Sequence, residues 1–337
     1  MKPRVVVVGA GMGGLAAALR LRHLGFEVRV IEARAEAGGL ASGLEADGLA
    51  FDGGPYILLD RPGLEWAFNT LGLDLAEQVA LRRVEEVYEV ASADHVLRFH
   101  ADLAETAAGF DGIWPGAGLR YTDLVGWAQQ AHRRLQPALF VSRPGLREVL
   151  RGGAWREAAL LLRSLGSVLG RTGLPRPVVE AIAIWTHVAG QRLENAPAFM
   201  AFLPALIHGV GAFYPTGGLA SVPQALDRAV AAAGIALERG AKVRAIRCSN
   251  SRVTGVETDE GFALADAVVS NAGGVGTYLD LVQPTPPGVR ARLEALPLQS
   301  PGVCAYLAVR GNPRPPYLRF SLPGEVKTAG SSSHPRS

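Results

Sequence analysis

Four consecutive valines, Val5 to Val8, run directly into Gly9-Ala10-Gly11-Met12-Gly13-Gly14, and this junction restricts the possible folds more than any other feature of the chain. A short β-branched run of this kind predicts a strand buried on both faces. Leu15 to Leu24 carries Ala or Leu at most positions, which predicts a helix, and Gly25 ends it. Glu27 to Glu32 then predicts a second strand, and a strand–helix–strand unit of this type crosses over right-handed. The chain therefore opens as an α/β fold with a parallel sheet.

Gly9, Gly11 and Gly14 form a GxGxxG pattern between strand and helix, and each has its own task. The first makes a tight turn, the second lets the backbone approach a pyrophosphate, and the third lets helix and strand pack closely. The helix N-terminus offers free N–H groups and a positive dipole to the phosphates. An acidic residue about 20 residues further on completes the fingerprint, and Glu32 stands there to accept from ribose hydroxyls. Together these residues predict a site for the ADP half of a dinucleotide. NAD(P) and FAD share that half; the paired Gly38 and Gly39, which let a further loop lie against the cofactor, favour FAD.

With 337 residues the chain is long enough for two domains. Its 48% hydrophobic content, 41 Gly and 22 Pro describe a loop-rich, rather apolar globular protein suited to a greasy ligand. A net charge of +3 is too small to argue for nucleic acid. Cys248 and Cys304 lie far apart, so two free buried thiols are expected, with neither a disulfide nor a metal site. The strand that follows Met1 so closely leaves no room for a signal peptide, which predicts a cytoplasmic protein. Ala196 to Tyr214 has no formal charge, but Pro197, Pro204, Gly209 and Gly211 argue against a spanning helix.

From Asp60 to Tyr214 the pattern reads as mostly helical, with segments at Gly63 to Thr70, Asp123 to Leu135, Arg156 to Leu169 and Val178 to His187. A helix near Ser221 to Ala233 has Pro223 in its first turn and Gly234 beyond its end. Strands are expected at Lys242 to Arg247, Arg252 to Thr258, Phe262 to Leu264 and Ala267 to Ser270, and later at Val303 to Val309 and Tyr317 to Leu322. The expected division is a discontinuous FAD-binding domain, 1–60 and 212–283, and a substrate or membrane-associated domain, 61–211 and 284–326. Lys327 to Ser337 reads as a disordered tail or a sequence cut short.

The run VVVVGAGMGGLAAALRLRHLGFEVRVIEARAEAGG, followed by Phe51-Asp52-Gly53-Gly54-Pro55, resembles the carotenoid or phytoene desaturase family within the FAD-dependent amine oxidase superfamily. Tyr214 to Leu219, the hairpin Gly240 to Gly261, and Ala265 to Ala272 agree with it. The resemblance implies a Rossmann-type FAD-binding domain with an interleaved helical and antiparallel-sheet substrate domain. Residue by residue, it implies that Gly9, Ala10, Gly11, Met12, Gly13 and Gly14 border the phosphates, with Gly38, Gly39 and Leu40. Glu32, Ala33 and Arg34 would lie at the AMP ribose, and Gly54, Pro55 and Tyr56 near the flavin. Val243 would meet the adenine through its backbone, and Asn271 ends the strand that returns to the flavin. Leu40 and Thr216 stand where relatives often carry basic residues. The family's second, C-terminal flavin signature has no counterpart here, which implies either a truncated chain or a shortened relative that holds FAD weakly or needs a partner, and the chain as given is expected to bind FAD weakly and turn over no carotenoid precursor.

No catalytic constellation stands out among the seven His, and His187 and His208 read as core histidines. This suits hydride transfer from an apolar polyene or isoprenoid to flavin, where the cofactor supplies the chemistry. Seven Arg against two Glu in Arg143 to Arg176, interleaved with Trp and Leu, predict peripheral contact with the inner membrane surface or an ordinary helix with a solvated Arg face. Two other classes stay open: an amine oxidase-like flavoenzyme, and a truncated flavin-binding accessory protein. The oligomeric state is open as well.

Overall fold

The computed structural model describes residues 2–139, 147, 157–250, 252–296, 303–311 and 316–322. The chain divides into two compact units: Met1–Arg82 with Phe213–Leu298, and Arg83–Ala212 with Gln299–Ser337.

The first unit is built on the predicted strand–helix–strand start: β1 (Arg4–Val8), α1 (Met12–His23) and β2 (Glu27–Ile31). β1 pairs in parallel with β2 on one side and with the strand Ala267–Ser270 on the other; the strand Ala236–Glu238 extends the sheet beyond β2. Alternate residues of β1 serve two separate cores, which is why the run is apolar throughout. Val7 packs with Leu15, Leu19, Phe68, Leu226 and Val230, which come mainly from α1 and from the helices Arg61–Thr70 and Ser221–Ala232. Val6 and Val8 pack with Val243, Ile246, Val256 and Ala265 of the antiparallel segment. There Val243–Ser249 pairs with Arg252–Thr258, which turns through Asp259 and Glu260 into Gly261–Leu264. Gly25 and Gly234, with φ of +89° and +66°, end their helices as expected.

The residue pattern of Asp60 to Tyr214 reads as mostly helical and does not show the second unit's sheet, which the resemblance does imply. Glu86–Ala91 and Val96–His100 form an antiparallel pair, and Arg319–Ser321 joins it in parallel. Tyr88 stacks on Phe99 at 4.1 Å between ring centroids, and Phe99 meets Phe110 and Tyr121 edge-on. The strand Glu86–Ala91 carries four consecutive buried residues, so a two-residue alternation is hidden within it. Glu89, 1% exposed, is paired with Arg98 and Arg319.

The expected helix Arg156 to Leu169 is two pieces, a 3₁₀ turn Glu157–Leu162 and a helix Leu165–Leu169. Ser164 interrupts it: its hydroxyl accepts from the N–H of Ser167 at 3.2 Å and caps the second piece. Val303 to Val309 forms no strand. Val303 is 97% exposed and Leu307 78%, and no described strand lies alongside to pair the backbone, which a strand needs to persist. Cys304 is consequently exposed and Cys248 half-buried, correcting the expectation of buried thiols. Residues 143–146, 148–156 and 327–337 lie outside the described residues.

Ala196 to Tyr214 folds as a 3₁₀ turn, Ala198–Phe202, and a short helix, Leu203–Gly209, with Pro204 in its first turn. No helix among the described residues is long and apolar enough to cross a membrane. His208 is a satisfied core histidine: Nε2 lies 2.8 Å from the Tyr121 hydroxyl, and burial lowers its pKa to about 4. His187 is instead exposed.

Candidate functional site

The glycine turn after β1 is shaped by close approaches. Gly9 has φ +93°, a backbone state that disfavours any side chain, and its N–H donates to Ile31 at 2.8 Å. A Cβ on Gly14 would lie 2.0 Å from the Gly9 carbonyl oxygen, so the helix can sit this close to the strand only as glycine. Gly38 and Gly39, both at positive φ, bring their loop onto the turn: the Gly38 N–H donates to Ala10, and a Cβ on Gly39 would lie 3.1 Å from the Gly11 Cα.

Glu32 follows β2 and is 7% exposed. One carboxylate oxygen accepts from the Ala10 N–H at 2.6 Å and the other from the Arg34 N–H at 2.8 Å. The predicted acid thus ties the glycine turn to the end of β2, and its oxygens keep further lone pairs for a ligand. The Arg34 guanidinium donates to the Gly39 carbonyl at 3.2 Å, holding the paired-glycine loop.

These elements enclose a cleft of about 1060 Å³, at the upper end of small-ligand sites. Gly9, Gly11, Met12, Gly13, Glu32, Ala33, Arg34, Gly38, Gly39, Leu40, Val243 and Asn271 line it. Ala10 is buried behind the turn, and Gly14 serves the helix–strand contact. Asn271 reaches over the turn: a Cβ on Gly13 would lie 2.8 Å from its side-chain oxygen. Lys242, Ser270, Asp280 and Leu281 also line the cleft and have no signature in sequence. The last two are delivered by a single π turn, Thr277–Leu281.

Gly54, Pro55 and Tyr56 are not part of this lining. Gly54 instead backs onto it, since a Cβ there would lie 2.0 Å from the Leu40 carbonyl oxygen. Burial raises the pKa of Tyr56. Nearby in sequence, Asp52 accepts from the Tyr214 hydroxyl at 2.6 Å and from the Leu219 N–H at 2.7 Å. Burial first, then Asp52, pushes the Tyr214 phenol up to about 12. Sequence reading singled out the Tyr214 to Leu219 turn without identifying Asp52 as its anchor.

The cleft fits a dinucleotide on its own terms. α1 has no side-chain cap and no acidic residue in its first turn, so its leading N–H groups point into the cleft's glycine cradle unneutralised. Gly9, Gly11 and Gly13 line the cleft without side chains, which leaves the backbone open to a pyrophosphate. Among the described residues no group of three or more His, Cys, Asp or Glu is placed to hold a metal.

The family model described as "Flavin containing amine oxidoreductase" matches residues 12–328. A zeta-carotene-forming phytoene desaturase of Myxococcus xanthus is 31% identical over 315 residues, covering 91% of this chain and 60% of the relative. A phytoene dehydrogenase of Streptomyces griseus is 32% identical over 279 residues, covering 79% of this chain and 53% of the relative. The chain thus spans between about half and three-fifths of these relatives' lengths. A putrescine oxidase solved with bound putrescine superimposes with a TM-score of 0.57 at 20% identity, over 88% of this chain and 63% of that one, which speaks to the fold.

Proposed function

The chain belongs to the flavin-containing amine oxidoreductase family, whose cofactor is FAD, and from that premise we propose that it serves oxidation of an apolar polyene or isoprenoid by flavin. The observation that carries the reading is the cleft itself, an uncapped helix start in a glycine cradle with a buried carboxylate beside it. Its first-turn N–H groups at Met12, Gly13 and Gly14 would bind the pyrophosphate. Glu32 would accept from the adenosine ribose, between Ala33 and Arg34. Gly38, Gly39 and Leu40 would cover the phosphates, and Asn271 would fix the turn beneath them. Val243 would offer its backbone to the adenine, and Gly54, Pro55 and Tyr56 would stand nearer the flavin ring. When bound, the flavin supplies a hydride acceptor for an allylic carbon. The protein's own part is then placement and exclusion of water.

The desaturase relatives support the polyene class over an amine. In this reading residues 1–60 and 212–283 form the FAD-binding domain, and 61–211 with 284–326 serve the substrate. The basic, leucine-rich stretch 143–176 would rest on the inner membrane surface, where such substrates partition.

The test is anaerobic reduction of protein-bound FAD in a single turnover. A C40 polyene precursor supplied in liposomes is expected to bleach the oxidised flavin in that one turnover, with longer-wavelength absorbance as conjugation extends, while putrescine leaves it oxidised; such bleaching would also set aside the inactivity that the missing second flavin signature implies. Bleaching by the amine and none by the polyene would replace this reading with the amine oxidase-like one.

A further inference from the structure

The second unit contains a cavity of about 400 Å³ that the flavin reading leaves unused. Its floor is apolar: Leu124, Leu160 and Val168 are all buried. Its rim carries three guanidinium groups from three separate stretches: Arg120 on the helix Ala117–Leu139, Arg163 after the turn Glu157–Leu162, and Arg171 after the helix Leu165–Leu169. Asp123 is the one carboxylate in the lining. Among the described residues none of the three arginines makes an ion pair or a side-chain hydrogen bond, whereas other arginines of the unit, such as Arg98, Arg134 and Arg319, are paired. Arg120 is held by shape alone, its stem passing Gly173, where a Cβ would come within 3.5 Å of its Cδ.

Beside these charges the surface is apolar. Leu119 is 67% exposed next to Arg120, Leu162 is 92% exposed next to Arg163, and Trp127 stands at the cavity rim, 37% exposed. Cations over an apolar floor, flanked by outward Leu and Trp, match a ligand with an anionic head and an alkyl body. A cavity this size takes a headgroup and the first carbons of its chains, and a C40 polyene exceeds it.

We infer that this cavity binds the phosphate headgroup of an anionic phospholipid in a bilayer, with Arg120, Arg163 and Arg171 as its counter-charges and Trp127 and Leu162 entering the interface. This rests on the proposed membrane contact of the stretch 143–176, which supplies Arg163 and Arg171, and gives that contact a chemistry. The outward leucines favour a bilayer over a soluble phosphate, because a dissolved ligand gains nothing from Leu162.

The test is co-sedimentation of the full chain with phosphatidylcholine vesicles, pure or containing roughly a third phosphatidylglycerol. Arg120→Gln/Arg163→Gln/Arg171→Gln and Arg163→Gln alone are compared with the unmodified chain. The unmodified chain should prefer the anionic vesicles, with about a fivefold loss for the single change and a loss on the order of 100-fold for the triple. Should the triple variant fail to fold, as judged by its thermal midpoint, the single variant decides. Glycerol phosphate and geranyl diphosphate are offered as soluble competitors and should not displace the protein. Vesicle binding that ignores headgroup charge or the arginines would overturn the cavity and leave the membrane reading standing. No binding to either vesicle would overturn both, and arginine-dependent binding of the soluble phosphates without vesicle binding would reassign the cavity.

Discussion

Gly14→Ala is expected to lower the thermal midpoint by about 5 °C or more and to leave the chain without flavin. The added Cβ would sit 2.0 Å from the Gly9 carbonyl oxygen, far inside any real contact. Neither side can yield cheaply. Gly9 is bonded through its N–H to Ile31, and β1 is held on both sides by parallel partners. Overpacking of this kind costs about 1–3 kcal/mol and more where the backbone is pinned, and each kcal/mol is worth about 2–4 °C in a folding unit of about 150–250 residues, the size range of the unit that holds Gly14. Gly109→Ala, where the added Cβ meets nothing within 4 Å, is the matched control. Lying inside the helix Leu103–Asp111, it should gain up to about 1 kcal/mol. A Gly14→Ala chain that melts with the unmodified one would show that the glycine turn is not the rigid cradle described.

Glu32→Ala is expected to cost about 2–4 kcal/mol in chemical denaturation and to strip flavin on desalting. The carboxylate accepts two backbone N–H groups, and hydrogen bonds to a charged group are worth about 1.5–3 kcal/mol each. Losing the acceptor affects the two donors unequally. Ala10 is fully buried and would be orphaned, whereas Arg34 is exposed and can turn to water. Glu32→Gln should recover at most part of the loss, because its amide nitrogen would face one of the two donors with a donor of its own. Unchanged stability and flavin content together would remove Glu32 from both roles.

The first 39 residues were legible because local chemistry and tertiary packing ask for the same thing there. Four valines need two buried faces, the glycines need positive φ or close approach, and Glu32 needs two backbone donors. Lys242, Ser270, Asp280 and Leu281 were not legible, since they reach the cleft through strand ends and a π turn that no spacing announces. In the second unit, Glu86–Ala91 hid its strand because packing against Phe99 on one face and charge pairing of Glu89 on the other bury four of its residues in succession. Ser164 broke a helix whose leucines alone predicted continuity. The rim of Arg120, Arg163 and Arg171 was visible in sequence only as a basic stretch, because Arg120 comes from a helix more than 40 residues before the other two.

The central claim, that this cleft is the FAD site, is tested most directly by calorimetric titration of the chain with FAD, FMN and NAD(H). FAD is expected to bind with NAD(H) unable to displace it, and FMN, which lacks the ADP half that Glu32 and the α1 N-terminus would hold, is expected to bind far more weakly. Tight NAD(H) binding with no response to FAD, or FMN binding as tightly as FAD, would contradict it.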